Sequence, residues 1–438
     1  MKRQFIYVLL SSALLFVNLR QAEAGETNFS ATSDTSSYVT IQGQVRDVAT
    51  RRPLAYVSVY IKGSNIASVS NFDGNFVLKA PTSITELTLL FSHLGYKNVE
   101  VSITNPQQTL TVNMEASSYT LRELVISALD YPSEIVKEAL DRIPKNYGYT
   151  PVSMIGFYRE FVRKNNNYVS IAEAVLDIRK APYHNSQFDV ARIYKGRKSG
   201  EIDRSDTIIF KYQGGIMTSL LLDAAKNPEI LFSDKPFDNY NFTYNGMEMI
   251  DEKPHYIIGF NQHKSSRDIL FRGKIYIEPN TFAIARVEFN MNVEDRPDAS
   301  SIFVRRSPRG AQITPLYATY IINFREQNGR WFYSYGRAEV KFKSEWRRFI
   351  FFKPTCTIIS ELAITDVDED NLTTVPRREA VRMNDIVAEK LSIFTGDAFW
   401  GSYNYIEPEQ TIESAINRMN RRLRREGIMQ DIEQEEME

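Results

Sequence analysis

The sequence predicts a mainly β protein with flanking helices: a small N-terminal β-sandwich, a long curved antiparallel sheet, and a helical C-terminal tail. Three observations predict it. Apolar and polar residues alternate through Val39-Ile41, Val57-Val59-Ile61, Phe76-Leu78 and Leu87-Leu89-Phe91, the period of strands with one buried face. From Val152 to about Thr365 the chain reads as long hairpins, the clearest turning at Asn328-Gly329 between alternating runs. Aromatic residues are plentiful, with 24 Tyr and 26 Phe, which suits strand-rich structure.

The first segment, residues 1–24, has the form of a secretory signal peptide. Lys2 and Arg3 make a basic start, Phe5 to Val17 a 13-residue largely apolar stretch, and Ala22-Glu23-Ala24 a small-residue cleavage pattern. As a helix that stretch would reach only ~20 Å, short of the ~30 Å hydrocarbon core, so a membrane anchor is not expected. No cysteine follows the cleavage pattern, which argues against lipid attachment at the new N-terminus. Residues 25–37, rich in Ser and Thr, read as a flexible leader. The expected address is therefore export, to the periplasm or the outer membrane.

Residues 38–116 carry the sandwich. Arg52-Pro53, Gly63-Ser64, Asp73-Gly74 and Gly95 stand between the alternating runs, where short antiparallel strands must turn. The run G-x-V-x-D…P-L…V-x-V-x-I-K-G-S…D-G-N-F…L-G-Y resembles the carboxypeptidase regulatory-like domain, a transthyretin-like β-sandwich. That resemblance covers under a fifth of the chain and implies an accessory module. In zinc carboxypeptidases such a domain follows the catalytic unit; in TonB-dependent receptors of the Bacteroidota type it precedes the plug. Fold alone does not assign chemistry.

Residues 117–151 read as a connector with a short helix. "LRELVISA" is similar to the segment that joins the same module to a receptor plug. A barrel of ~22 strands, each of ~9–11 residues, needs far more chain than follows, so no receptor channel is expected. Pro132 suits a first helical position, Glu134 the positive end of the helix dipole, and Pro144 a stop. Ile135, Val136, Ala139, Leu140 and Ile143 share one stripe and should dock on a core.

Residues 152–365 form the predicted curved sheet. Two long strands should turn at Asn165 to Asn167, and another pair at Pro279-Asn280, with Ile275, Ile277, Ala283, Ala285 and Val287 on one face. Hairpins in such number must curl or be covered by helices. "YNGMEMIDEKPHYIIGF" followed by "RGKIYIEPNTFAIARVEF" resembles the strand succession of lipoprotein-carrier-like half-barrels, and an exported family of unknown function that joins the regulatory-like module to one. The resemblance implies an apolar cup for acyl chains and carries over no ligand residue.

Residues 366–438 complete the chain as an acidic turn and a helical region. Pro408 opens and Gly427 closes a helix with Ile412, Ala415, Ile416, Met419 and Leu423 on one side. Arg418, Arg421, Arg422, Arg424 and Arg425 crowd its second half, read as a solvated face opposite Asp431, Glu433, Glu435 and Glu436 rather than as a lipid-headgroup patch. "FTGDAFWGSYNYIEP", around Trp400, suggests a groove lining or burial against the sheet.

The search for chemistry excludes more than it finds. His93, His184, His255 and His263 lack the H-x-x-E or H-E-x-x-H spacing of zinc peptidases, and no nucleophile elbow, Walker loop or dinucleotide fingerprint occurs. Asp366, Asp368 and Asp370 begin like a calcium loop, yet Asn371 and Arg377 stand where glycine and a carboxylate are required. The single Cys356 cannot form an internal disulfide and reads as a buried small apolar residue. A net charge of -1 gives no global attraction to nucleic acid or anionic membrane. No catalytic or metal-ligating residue and no cofactor is expected, and the ligand-binding residues are left open. The reading is a non-enzymatic cell-envelope binding or assembly protein with an apolar or lipid ligand, or an outer-membrane protein, as partner. An exported zinc-dependent hydrolase and a structural partner of an outer-membrane transport complex are the alternatives.

Overall fold

The computed structural model describes residues 37–117, 131–165, 167–199, 215–232, 235–263, 268–294, 296–304, 311–346, 353–393, 397–409, 412, 414–416 and 421. The expected signal peptide and nearly all of the leader, the "LRELVISA" connector, Met419, Leu423, the arginines other than Arg421 and the acidic tail lie outside the described residues.

The N-terminal sandwich is built as its alternation requires. One sheet has the order β4 (Asn75–Pro81), β1 (Tyr38–Asp47), β7 (Leu110–Met114), the other β3 (Ala67–Val69), β2 (Ser58–Ile61), β5 (Thr88–Ser92), β6 (Val99–Ser102). β1 runs antiparallel to β4 and parallel to β7. Ile41, Val59, Ile61, Phe76, Leu78, Leu89 and Phe91 are all buried between the sheets, where Phe76 meets Phe91 edge-on at 5.2 Å. The turn at Gly74 admits no side chain: its φ is +74°, and a Cβ would lie 2.6 Å from the Val45 carbonyl oxygen.

The remaining strands form one 11-stranded sheet, curved and not closed. Its strands are β8 (Val152–Lys164), β9 (Asn167–Lys180), β10 (Val190–Ser199), β11 (Tyr240–Ile250), β12 (Lys253–Gln262), β13 (Phe271–Ile277), β14 (Ile284–Met291), β15 (Ala311–Gln327), β16 (Arg330–Trp346), β17 (Thr355–Asp368) and β18 (Ser392–Ile393). β11 to β17 run as a continuous meander, and β17 then pairs with β8, so the second half of the domain closes onto the first. The Asn328-Gly329 signal is a two-residue turn with φ of 50° and 74°, joining Gln327 to Arg330. These are type I′ angles, whose twist matches the flanking strands. Around Pro279-Asn280 the buried Glu278 carboxylate accepts the backbone N–H groups of Asn280 and Thr281 at 3.2 and 2.7 Å.

One face of this sheet is covered by helices. α1 (Pro132–Asp141), α2 (Ile143–Asn146), α3 (Ile216–Leu221), α4 (Pro228–Phe232), α5 (Pro236–Asn239) and α6 (Ser300–Phe303) are all short. Ile135, Val136, Ala139 and Ile143 dock as their stripe predicts. Pro144 does not end that helix. α1 stops at Asp141, and Pro144 sits in the first turn of α2, where its missing N–H costs nothing. Phe232 packs edge-on against Tyr240 and Phe260 at 6.3 and 5.5 Å. The helix-bearing segment is also tied to β9 by a buried ion cluster. The Lys180 ammonium donates to Asp189 and Asp223, each at 2.6 Å, and the Tyr183 hydroxyl donates to Asp223 at 2.9 Å.

The opposite face carries the sandwich and a strap, residues 397–409. Val69 and Tyr56 of the sandwich share a cluster with Phe157, Val175, Tyr335 and Ala363 of the sheet and with Trp400 and Ile406 of the strap. Asn404 pairs with both backbone groups of Lys79, accepting its N–H at 2.7 Å and donating to its carbonyl at 3.2 Å. Among the described residues β4 pairs only with β1, and one amide side chain serves in place of a further strand at this edge. Beyond the strap, Ile412, Ala415 and Ile416 pack on Phe161, Ile171 and Ile359.

Beneath the strap lies a row of alternating charge. Arg197 of β10, Glu173 of β9, Arg159 of β8, Glu361 of β17 and Arg337 of β16 are direct cross-strand neighbours. Arg159 donates to Glu173 at 2.9 Å, Arg197 to the other Glu173 oxygen at 3.1 Å, and Arg337 to Glu361 at 2.9 Å. Arg159, fully buried, also donates to the carbonyl of Ile406 in the strap. Buried charges need such complete pairing, since desolvation alone costs several kcal/mol per ion.

Candidate functional site

The sandwich meets the sheet at three hairpin turns, and a groove of about 380 Å³ opens between them. The β2–β3 turn brings Lys62 to Asn65, the β11–β12 turn Asp251, and the β15–β16 turn Asn328; Tyr60, Arg325 and Trp331 add flanking walls. Two smaller cavities of about 20 and 40 Å³ also border Tyr60 and Arg325. The volume falls in the range of about 300–1,000 Å³ usual for small-molecule sites.

Polar contacts fix the sandwich across this junction. The Asn65 amide donates to the Val367 carbonyl at 2.5 Å, and Arg325 donates to the Asn65 carbonyl at 3.3 Å and to Gln327 at 3.1 Å. The Arg325 guanidinium lies 5.1 Å from the centre of the Tyr60 ring. The Tyr60 hydroxyl points to Asp251 at 3.4 Å, and burial, reinforced by the Asp251 charge, raises its pKa above the ordinary phenol value. Lys253 and Glu326, from the two sheet hairpins, form an ion pair at 2.7 Å.

Two residues that border the groove each hold a buried polar atom with no hydrogen-bond partner: Nε2 of His255 and Nη1 of Arg325. His255 is 1% exposed, and burial lowers its pKa, so the ring is neutral near pH 7. Its Nδ1 lies 2.9 Å from the Lys253 carbonyl oxygen. A carbonyl only accepts, so Nδ1 carries the proton and Nε2 presents a bare lone pair. Arg325 is satisfied at Nη2 but leaves Nη1 a donor without an acceptor, and burial depresses its pKa as well. Among the described residues no carboxylate lies within ion-pair distance of it, although Asp251 and Asp366 act on it electrostatically. An orphaned buried donor or acceptor costs about 1–3 kcal/mol.

The other residues singled out from sequence do not converge. His93 faces Arg286 at the junction, His184 stacks on Tyr149 at 4.1 Å, and the His263 backbone N–H donates to Asn239 at 2.9 Å. Cys356 is buried, which pushes its thiol up to about 12. Asp368 accepts the N–H groups of Asp370 and Asn371 at 2.9 and 2.8 Å, closing its own turn. Among the described residues no group of three or more His, Cys, Asp or Glu side chains could hold a metal ion. Trp400 is buried beneath the sandwich, edge-on to Phe157 at 5.3 Å. Sequence reading missed Arg325 and Tyr60 altogether and weighed His255 only as a metal ligand. The Gly63-Ser64 and Asn328-Gly329 turn signals were legible, but nothing in them showed that the turns meet.

Comparison with known proteins gives one family and several distant structures. Residues 41–126 match the family model of the CarboxypepD_reg-like domain. No curated protein matches the chain. A LolA superfamily protein from Nitrosomonas europaea is similar at 10% identity, over 56% of this chain and 96% of its own, with a TM-score of 0.22. A DUF1329 family protein from Desulfovibrio piger shows 14% identity, 55% and 95% coverage, and a TM-score of 0.22. A putative membrane-associated protein of unknown function from Bacteroides fragilis shows 11% identity, 76% and 99% coverage, and a TM-score of 0.15. Among the described residues no helix is long and apolar enough to cross a membrane. The N-terminal sandwich is therefore a CarboxypepD_reg-like domain, joined to a curved antiparallel sheet.

Proposed function

We propose that this is an exported, non-enzymatic binding protein of the cell envelope whose site is the groove between the sandwich and the sheet. One observation carries the reading: a groove of about 380 Å³ opens where three hairpin turns meet, lined by charged and polar side chains of both the sandwich and the sheet. The apolar-cup alternative has less support, because side chains of α1, α3 and α4 pack into the core on the helix-covered face. In this reading the sandwich supplies one wall of the site and the strap holds that wall in place. The sequence pattern of residues 1–24 supports export.

Native mass spectrometry of the protein purified from its own envelope tests the proposal, with Lys62→Trp as the partner sample. Lys62 is exposed on the groove rim, and its ion pair with Glu100 is a surface one of little energetic weight. A bound mass on the native chain that disappears in the variant is the expected result. A bound mass unaffected by the tryptophan would remove the groove as the site.

A further inference from the structure

We infer that Lys180 and Asp189 condense spontaneously into a side-chain amide that ties β9 to β10, with Asp223 relaying a proton. None of the three residues lines the groove, so this bond stands or falls independently of the binding site. Val190 pairs with Arg179, which sets Asp189, at the entry to β10, opposite Lys180 at the end of β9. The Lys180 nitrogen lies 2.6 Å from one oxygen of Asp189 and 2.6 Å from one of Asp223. Each carboxyl carbon is one bond further on, close to the ~3–3.5 Å separation of atoms poised to react. All three side chains are buried, and the buried rings of Tyr183 and Tyr333 lie 4.9 and 5.9 Å from the ammonium. Such a setting holds the reactants together and keeps out the water that would hydrolyse the product.

The two carboxylates are held differently, which divides the roles. Asp223 accepts the N–H groups of Ala225 and Lys226 at 3.1 and 3.0 Å and the Tyr183 hydroxyl at 2.9 Å. Those donors favour its ionised form, as a proton acceptor requires. Asp189 turns its other oxygen to the Ala181 N–H at 2.8 Å, a donor placed to stabilise the oxyanion formed on attack. Burial opposes the Lys180 charge, but the two facing carboxylates outweigh it and raise its pKa, so the cluster rests as an ion pair. Reaction begins when the ammonium passes one proton to the near oxygen of Asp189. The amine attacks the Asp189 carboxyl carbon, the C–N bond forms, and the nitrogen gives a second proton to Asp223. Asp223 hands that proton to the Asp189 hydroxyl, which leaves as water when its C–O bond breaks. One N–H proton stays on the amide, Asp223 ends as it began, and nothing is oxidised or reduced. The product replaces two buried ions by a neutral amide and so removes their desolvation cost. Lys226, whose ammonium donates to the Asn185 carbonyl at 2.7 Å, remains to face the Asp223 charge.

The test is intact-mass spectrometry of the full folded chain, with peptide mapping of the same sample. The expected mass is that of the isolated sequence less one water, and proteolysis should release a branched peptide joining Lys180 to Asp189. Asp189→Asn offers a carboxamide of the same shape, and attack on it expels ammonia, so that variant should converge on the same final mass. Asp223→Asn should slow bond formation about a hundredfold or more. Circular dichroism confirms that both variants are folded; should either fail, the unaltered chain and its peptide map decide alone. A chain that keeps its full mass after prolonged incubation overturns the inference, as does a loss of water that maps to any other pair of residues. Bond formation at an unchanged rate in Asp223→Asn would refute Asp223 as the relay.

Discussion

The two faces of the central sheet are filled by different chemistry. On the helix-covered face, Met154, Tyr158, Ala174, Leu176, Ile358, Leu362 and Val340 join a continuous apolar core with α1, α3 and α4. On the other face the same four strands carry Arg159, Glu173, Glu361 and Arg337 in register beneath the strap. Both faces are buried, yet the first is mainly apolar, with its charges gathered in the one cluster around Lys180, and the second carries a charge row across four strands. Apolar contact is non-directional, so the helix face gains stability without dictating one arrangement of its cover. Hydrogen-bonded charges are directional, and only the observed placement of the strap carbonyls completes the Arg159 shell. The difference teaches that the first face supports the fold, whereas the second fixes where the sandwich sits and hence the shape of the groove.

A pair of truncations, one on each face, puts that contrast to its largest test. Phe232→Ala leaves a void against Tyr240 and Phe260 and should cost about 3–5 kcal/mol. Arg159→Ala strips Glu173 of one of its two arginine partners and frees the Ile406 carbonyl, with a cost of about 3–5 kcal/mol. Denaturant unfolding should therefore rank them alike. Hydrogen exchange should separate them: Phe232→Ala raises exchange through the sheet core, while Arg159→Ala raises it first in residues 397–409. Equal, uniform exchange in both variants would mean that the charge row does not position the strap.

Acid should act on the junction before it acts on the core. Burial first, and the neighbouring Arg286 second, depress His93 from 6.5 to about 4. A group whose folded pKa is lowered supports the fold fully above its unfolded value, and that support is lost as pH falls through 6.5 toward the folded value. Protonation would set a second cation against Arg286, in a cavity that Arg325 and Asp251 also border. Urea unfolding from pH 7 to pH 4 should show a loss of up to about 3 kcal/mol that His93→Gln lacks. Parallel pH curves for the two proteins would assign the acid sensitivity to other groups.

The parts of this architecture that were legible in sequence are those decided by near neighbours. Ile41, Val59, Phe76 and Leu89 alternate because each lies on a strand with one core face, and that period survives in the chain itself. Asn328-Gly329 announces its turn by φ preference alone. β8 and β17 are buried on both faces, so the apolar run hides which residues point where. The charge row draws Arg159, Glu173, Arg197, Arg337 and Glu361 from five strands in two distant stretches of sequence, and only strand register aligns them. The groove is harder still, since its turns near residues 63, 251 and 328 meet only through the curvature of the sheet and the docking of the sandwich. Pro144 misled as a helix stop because proline is equally at home in a first turn.

The smallest effect expected comes from the two sheet hairpins that border the groove, which reach the same turn by unequal means. Asn328-Gly329 uses the residues that a type I′ turn prefers. Between Ile250 and Lys253 the turn is Asp251-Glu252, with φ of 49° and 60° and no glycine to absorb them. A left-handed conformation in a residue with a Cβ costs on the order of 1 kcal/mol. Glu252→Gly should therefore stabilise the protein by up to about 1 kcal/mol in thermal unfolding, less the extra freedom that glycine gives the unfolded chain. Glu252 is exposed, so no buried contact is lost to obscure the result. Asp251 keeps its place beside Tyr60. A fall in stability would show that the acidic turn is held by a contact of Glu252 itself, and the two hairpins would then be equally relaxed.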